Sequence, residues 1–241
     1  MSSSNLLRFA TFNLKHGATE SGYLGNPDAV AQACQDINAD ILALQEVDRR
    51  VWRSSFANLT EVAAEATGMQ AVFARTIRLQ GGSYGNALLI RGDIVEVEIL
   101  MLRGGRRHVP PLGISKRGLL PEPRSAVLAT ANIRGREIAV AATHLAVEKP
   151  VALTQLTEVL GKLSCRPGPR VLLGDLNQRV SAFRSVAQAH AMSPVGRVLT
   201  NPAETPTKQI DHILVNGLEV RNTEARLMAI SDHRALIVDV D

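Results

Sequence analysis

Six apolar runs along this chain each meet an Asn, Asp, Glu or His at one end. RFATFN ends in Asn13, ILALQE in Glu46, EIAVAATH in His144, and VLLGDLN in Asp175 and Asn177. KQIDHILV carries Asp211 and His212 near its start, and SDHRALIVDV carries Asp232 and His233 just ahead of its apolar stretch. The fourth run poses the problem most sharply. Val171, Leu172 and Leu173 call for burial, yet they lead straight into a carboxylate. Desolvating an unpaired carboxylate costs several kcal/mol or more. Six polar strand ends are best accommodated together, at one mouth where several strand termini converge, and catalytic sites are commonly built there.

The apolar runs also set the fold class. Strand-like segments recur at Leu7 to Asn13, Ile41 to Val47, Asn86 to Arg91, Ile94 to Leu100, Ser125 to Asn132, Glu137 to Thr143, Arg170 to Gly174, Gln209 to Val215, and Ala235 to Val240. Helical patterns lie among them. Asn26-Pro27-Asp28 supplies an N-cap and a first-turn proline, followed by Val30, Ala33, Cys34 and Ile37 at helical spacing. Leu59, Val62, Ala63 and Ala66 make a second face ended by Gly68, and Leu153, Leu156, Leu160 and Leu163 make a third. Ser181 is the expected cap of a fourth helix reaching about Ala191. Strands occur both alternating with helices and consecutively. That mixture predicts an α+β arrangement of sheets covered by helices, not a purely parallel doubly wound sheet.

Composition narrows the class further. A chain of 241 residues with 45% hydrophobic and 21% charged residues is ordinary globular material. It shows no linker, so one domain over 1–241 is expected, burying roughly three quarters of its surface. Cys34 and Cys165 make neither a disulfide framework nor a zinc cluster, and Cys34 reads as core packing. No 18-residue apolar run and no signal peptide is present, so the expectation is a cytoplasmic monomer without a membrane span. The net charge of +4 leans toward anionic partners, although such an excess is common on solvated surfaces.

Seven motifs in order, TFNLKHG, LQEVD, YGNALL, ATHL, GDLNQ, IDHILV and SDHRAL, resemble the motif set of the endonuclease/exonuclease/phosphatase superfamily. This group includes DNase I, abasic-site endonucleases, neutral sphingomyelinases and inositol polyphosphate 5-phosphatases. GDxN or SDH alone would carry little weight; seven in register, spanning about Arg8 to Asp241, carry a great deal. The resemblance implies a four-layer α/β/β/α sandwich of two mixed sheets with helices outside. It also implies Mg²⁺-dependent hydrolysis of phosphate esters, with Mn²⁺ able to substitute.

The chemistry accounts for the residue types. Phosphodiester hydrolysis needs in-line attack by water and neutralisation of charge on the phosphoryl oxygens and leaving alkoxide. Mg²⁺ takes one or two protein carboxylates and keeps several waters. Glu46 fits as its ligand, with Asn13 as a neutral oxygen ligand or neighbouring partner. Asp175 can orient or deprotonate the attacking water. Asn177, two residues on along an extended backbone, is expected on the same face, donating to a phosphoryl oxygen; an Asx-type turn is the plain alternative. The resemblance assigns His144 and His233 to the reacting phosphate and Asp211 to an orienting role. Water activation stays open between Asp175 and His233. Asp232 could touch a second ion, which leaves one metal or two. Tyr84 and Asn86, after a glycine-rich turn, and Arg124, in PEPRSAV, are candidate substrate contacts. His16, His108 and His190 are given no role and read as surface or core histidines.

Substrate class is less determined. The abasic-site branch typically reads LQET or LQEL and GDFN, whereas this chain reads LQEVD and GDLN. Only 3% of residues are aromatic, so few rings are available to stack on bases. The segment RGGRRHVPPLGISKRG, residues 103–118, is basic and without an acid; it reads either as a solvated loop or as a grip on a phosphate-rich substrate such as nucleic acid. A nuclease-type phosphodiester is the first choice, a small or lipid-derived phosphate ester the second. A catalytically dead binding module is third, disfavoured because every catalytic position is filled.

Overall fold

The computed structural model describes residues 6–104 and 122–241. Arg106, Arg107, Lys116 and Arg117 of the basic segment lie outside the described residues. The chain runs β1 (Leu7–Asn13), α1 (Pro27–Ile37), β2 (Ile41–Arg49), α2 (Leu59–Thr67), β3 (Gln70–Leu79), β4 (Gly82–Ile90), β5 (Asp93–Leu102), β6 (Arg124–Ile133), β7 (Arg136–His144), α3 (Lys149–Ser164), β8 (Arg170–Asp175), α4 (Val180–Ala189), β9 (Ser193–Pro194), β10 (Asp211–Asn216), β11 (Val220–Arg226) and β12 (Ala235–Val240).

Two six-stranded sheets form, ordered β11-β12-β1-β2-β4-β3 and β5-β6-β7-β8-β10-β9. Each has one parallel pair near its centre, β1 with β2 and β7 with β8, among antiparallel neighbours. A helix joins each parallel pair, as parallel strands require a long crossover. The central strands are apolar on both faces, and three cores result. Phe9, Ile41, Val140 and Val171 belong to the core between the sheets. Phe12, Leu42 and Leu44 pack under α1 and α2, with Cys34 fully buried among them. Leu156, Leu160, Leu172 and Phe183 form the layer of α3 and α4 over the second sheet. The four-layer sandwich of two mixed sheets is therefore the observed architecture.

Local signals acted as the residue chemistry predicts. Asn26 accepts from the Asp28 and Ala29 amides at the start of α1, and Gly68 ends α2 with φ +67°. Ser181 is not a cap. The turn after Asn177 closes with Ala182 N–H donating to Arg179 O, so α4 starts one residue before Ser181, and Arg179 caps it with no side-chain bond. The edge strands β3 and β11 went unpredicted. Both mix apolar residues with exposed or half-exposed charges, such as Arg75, Arg78 and Arg221, because one edge of each lies open. Among the described residues, no helix is long and apolar enough to cross a membrane.

Candidate active site

The topology explains why the polar strand ends meet. Parallel pairing puts Asn13 beside Gln45 and His144 beside Asp175, so the carboxyl ends of β1, β2, β7 and β8 lie at one end of the sandwich. Ligands commonly bind outside such ends. Antiparallel pairing brings the starts of β10 and β12 to the same end: Asp211 is the register partner of Asp175, and Ser231 to His233 precede β12 beside β1.

Glu46 occupies a β-bulge. The register of β2 with β4 shifts between Leu44 and Val47, and Glu46 has φ +57°. A bulge re-aims a side chain, and a left-handed conformation at a residue other than glycine costs about 1–3 kcal/mol. Strain at that one acidic position marks it as placed for a purpose other than pairing. Asn177 is also left-handed, with φ +53°, so the chain does not stay extended beyond Asp175 as the sequence suggested. The cause is an Asx turn in which Asn177 N–H donates to Asp175 Oδ1 at 2.9 Å. Asn177 Nδ2 nonetheless reaches the site, 3.1 Å from His144 Nε2, and donates to Leu145 O at 3.0 Å.

Asp175 is the hub. Its Oδ2 accepts from Asn13 Nδ2 at 3.2 Å and lies 3.4 Å from His144 Nε2 and 4.0 Å from His233 Nε2. Burial, with the Asp211 charge adding to it, pushes its pKa up to about 7. His144 is buried, and Arg124 Nη1 sits 3.1 Å from its Nδ1. A guanidinium only donates, so Nδ1 accepts and the ring proton sits on Nε2, facing Asp175; the Asn177 amide nitrogen, which also only donates, makes its bond to Leu145 O and not to this ring. Burial, then the Arg124 and His233 charges, holds its pKa well below 6.5. For His233, burial alone would also lower the pKa. The charge of Asp211 and its hydrogen bond to Nδ1, at 2.8 Å, overcome burial and raise it to about 10. Ser231 Oγ fixes this loop by donating to Asn13 O at 2.6 Å and accepting from His233 N–H at 3.0 Å.

Outside this network opens a cleft of about 380 Å³, lined by Glu46, Tyr84, Glu122, Asp232, Lys15 and His16, among others. Asn13, Glu46, His144, Asp175, Asn177, Asp211 and His233 are thus joined by direct contacts, with Tyr84 and Asp232 on the cleft wall. Arg124 stands behind His144, buried and also bonded to Glu122 at 3.3 Å. Asn86 donates to Ser125 O at 3.0 Å, tying the two sheets together. His16, Glu122 and Arg53 were not singled out by the sequence. His16 and Arg53 sit in short 3₁₀ turns, Lys15–Gly17 and Trp52–Ser54, and Glu122 precedes β6; the TFNLKHG motif holds His16 and could have flagged it.

The donor set suits a hard divalent cation. Glu46, Asp232 and Glu122 offer carboxylate oxygens around the cleft. Deeper in, Asp175, Asp211 and His233 bring potential ligand atoms within 4.8 Å of one another. Asp211 Oδ1 is buried with no hydrogen-bond partner among the described residues. Of its two expected places Asn13 takes the partner's, beside Glu46: its amide nitrogen donates to Glu46 Oε1 at 3.1 Å, while its oxygen accepts from Lys15 N–H. In this arrangement Asn13 aligns Glu46 and Asp175 and does not present an oxygen to a cation.

Solved structures share this architecture. An endonuclease/exonuclease/phosphatase from Beutenbergia cavernae aligns over 98% of this chain and 71% of its own, at 20% identity and a TM-score of 0.76. A mannosyl-6-phosphatase from Bacteroides thetaiotaomicron aligns over 98% and 99%, at 20% identity and 0.71. ANGEL2, a 2′,3′-cyclic phosphatase, aligns over 98% and 95%, at 14% identity and 0.68. No curated protein matches the sequence. The family model described as Endonuclease/Exonuclease/phosphatase matches residues 10–233. With that match across nearly its whole length, the chain belongs to the endonuclease/exonuclease/phosphatase family.

Proposed function

We propose that this protein is a Mg²⁺-dependent phosphodiesterase of nuclease type, a cytoplasmic monomer with one catalytic domain over 1–241. The observation that carries the reading is a buried carboxylate, Asp175, flanked by two histidines held in opposite protonation states. Hydrolysis of a phosphate ester needs one group to receive a proton from water and others to donate to the phosphoryl oxygens. Asp175, with its pKa near 7, is matched to receiving that proton at neutral pH. His233, charged, donates from Nε2, and neutral His144 donates from its Nε2–H. Asn177 Nδ2 adds a third donor beside them. Glu46 and Asp232 would hold Mg²⁺, with Mn²⁺ able to replace it; when bound, the ion supplies positive charge at the phosphoryl and leaving oxygens.

A second reading, a phosphatase acting on a sugar phosphate, draws support from the likeness to the Bacteroides enzyme. A panel of oligonucleotides, aryl phosphodiesters and sugar phosphates, assayed with Mg²⁺ and with EDTA, tests both. The expected result is turnover of phosphodiesters that EDTA abolishes. Turnover indifferent to EDTA would sink the metal, and turnover of monoesters alone would transfer the reading to the phosphatase.

A further inference from the structure

All of the chain's tyrosine and tryptophan residues gather at one wall of the site. The sequence holds two tyrosines and one tryptophan. Tyr84 lines the cleft beside Glu46. Tyr23 stands edge-on to His16, another lining residue, with ring centroids 6.1 Å apart. Trp52 packs on Tyr23 at 5.8 Å and 47°, and it immediately precedes Arg53, which also lines the cleft. Averaged over the chain, the low aromatic content argues against stacking on bases. The three non-phenylalanine rings answer that argument locally, because they lie around one cleft.

The outer pair is open to solvent and firmly placed. Tyr23 is 57% and Trp52 42% exposed, so neither serves mainly as core. Their two loops are tied together by Gly25 N–H donating to Arg53 O at 2.7 Å. Arg53 donates to both oxygens of Asp48, at 2.8 and 2.9 Å, and Ser54 Oγ adds a third bond to that carboxylate. Rings on such a pinned base lose little entropy when a ligand settles on them. The cations nearby are already engaged. Arg53 is held by Asp48, and Lys15 Nζ donates to the Thr19 and Glu20 carbonyls. The two outer rings therefore offer exposed π-faces whose neighbouring cations are held in fixed places. Such faces suit a flat ring that stacks on them while its phosphate lies in the cleft alongside.

We infer that Tyr23 and Trp52 form a stacking subsite for the nucleobase of a nucleotide whose phosphate lies in the acidic cleft. The subsite sets a preference for nucleotide esters over sugar phosphates. The inference rests on the phosphoesterase reading of the cleft and names the substrate class of that same site.

Trp52 is the chain's single tryptophan, so its fluorescence reports on the subsite directly. The full chain, in Mg²⁺, is titrated with AMP and with ribose 5-phosphate. AMP should quench saturably and ribose 5-phosphate should not. Tyr23→Ala should weaken AMP binding by about 5- to 150-fold, the range for losing one base stack. Tyr23→Phe, which keeps the ring, should restore it and so exclude a folding defect. Equal quenching by ribose 5-phosphate, or no saturable quenching by AMP, overturns the subsite. Hydrolysis of a dinucleotide and of its abasic analogue separates this from the parent reading. A protein that binds AMP on Trp52 but hydrolyses no phosphoester keeps the subsite and loses the phosphoesterase. One that hydrolyses both substrates with equal kcat/KM loses the subsite alone.

Discussion

His144 and His233 approach the same oxygen of Asp175 from the two sheets, at 3.4 and 4.0 Å, yet their pKa values move in opposite directions. Both are buried, and burial lowers both. The difference is made on the far side of each ring. His144 has a guanidinium at Nδ1; His233 has a carboxylate there. A donor that never releases its proton leaves His144 neutral with Nε2–H forward. An acid holds His233 as imidazolium. The groups that never touch substrate thus decide what each histidine offers to it.

The largest effect should come from removing the carboxylate between them. Asp175→Asn keeps the shape and should lower the single-turnover rate by about 10² or more, the usual range for a general base. His233→Ala should act similarly. The double variant should fall far short of additivity, since groups working as a unit share one loss. Full additivity would mean that the two act in separate steps and would break the comparison at its centre.

Next in size is Asp211→Asn. The fold keeps its hydrogen-bonding shape but loses the charge that raises His233. The His233 pKa should drop from about 10 toward or below the ordinary histidine range, visible by NMR in EDTA, and kcat should fall about 30-fold, within the span of acid–base catalysis. An unmoved His233 resonance across the titration would show that Asp175 alone holds the proton there.

Arg124→Gln should be milder. An amide in place of the guanidinium frees Nδ1 of His144 to carry the proton and removes a repelling charge. The His144 pKa should rise, and activity should fall about tenfold at the low end of acid–base effects, through kcat more than KM. Had Arg124 been a phosphate contact, as its motif suggested, KM would rise and the pH profile would stay in place.

The sequence shows the histidines more clearly than their surroundings. β1 and β12 matched their apolar runs residue for residue, because strands buried on both faces read as mostly apolar stretches with few polar interruptions. The strand ends Asn13, Glu46, His144 and Asp175 were legible for the same reason: a polar residue is conspicuous where apolar sequence stops. What lay across from them was not. Arg124 reaches His144 from the neighbouring strand, 20 residues away in sequence, and nothing in PEPRSAV announces which group it will meet. Asn177 turned out of the extended path because its own backbone amide bonds Asp175. The wall of Tyr23, Trp52 and Arg53 comes from a loop and a single 3₁₀ turn, too short for periodicity to carry a signal, and the composition average hid it.

The smallest effect is in stability, and its sign separates the two histidines. His144 is held well below 6.5, so near that pH the unfolded chain takes up a proton that the folded chain refuses. Its contribution makes stability fall as pH drops below about 6.5, and buried His212 and His16 act in the same sense. His233, raised to about 10, does the reverse: its stabilisation is complete below 6.5 and is lost as pH rises toward 10. Asp175, raised from 3.8 to about 7, loses its stabilisation earlier, as pH rises from about 4 to 7, and so would mask the acid slope of His144. Urea unfolding from pH 5 to 9 in EDTA should therefore be run in the Asp175→Asn background, where each histidine contributes at most about 1.4 kcal/mol per pH unit. Adding His233→Gln should remove the alkaline loss and leave the acid loss. Adding Arg124→Gln should flatten the acid loss and leave the alkaline one. If both variants change the same limb, the two histidines share one protonation state, and their opposition across Asp175 is not how the site works.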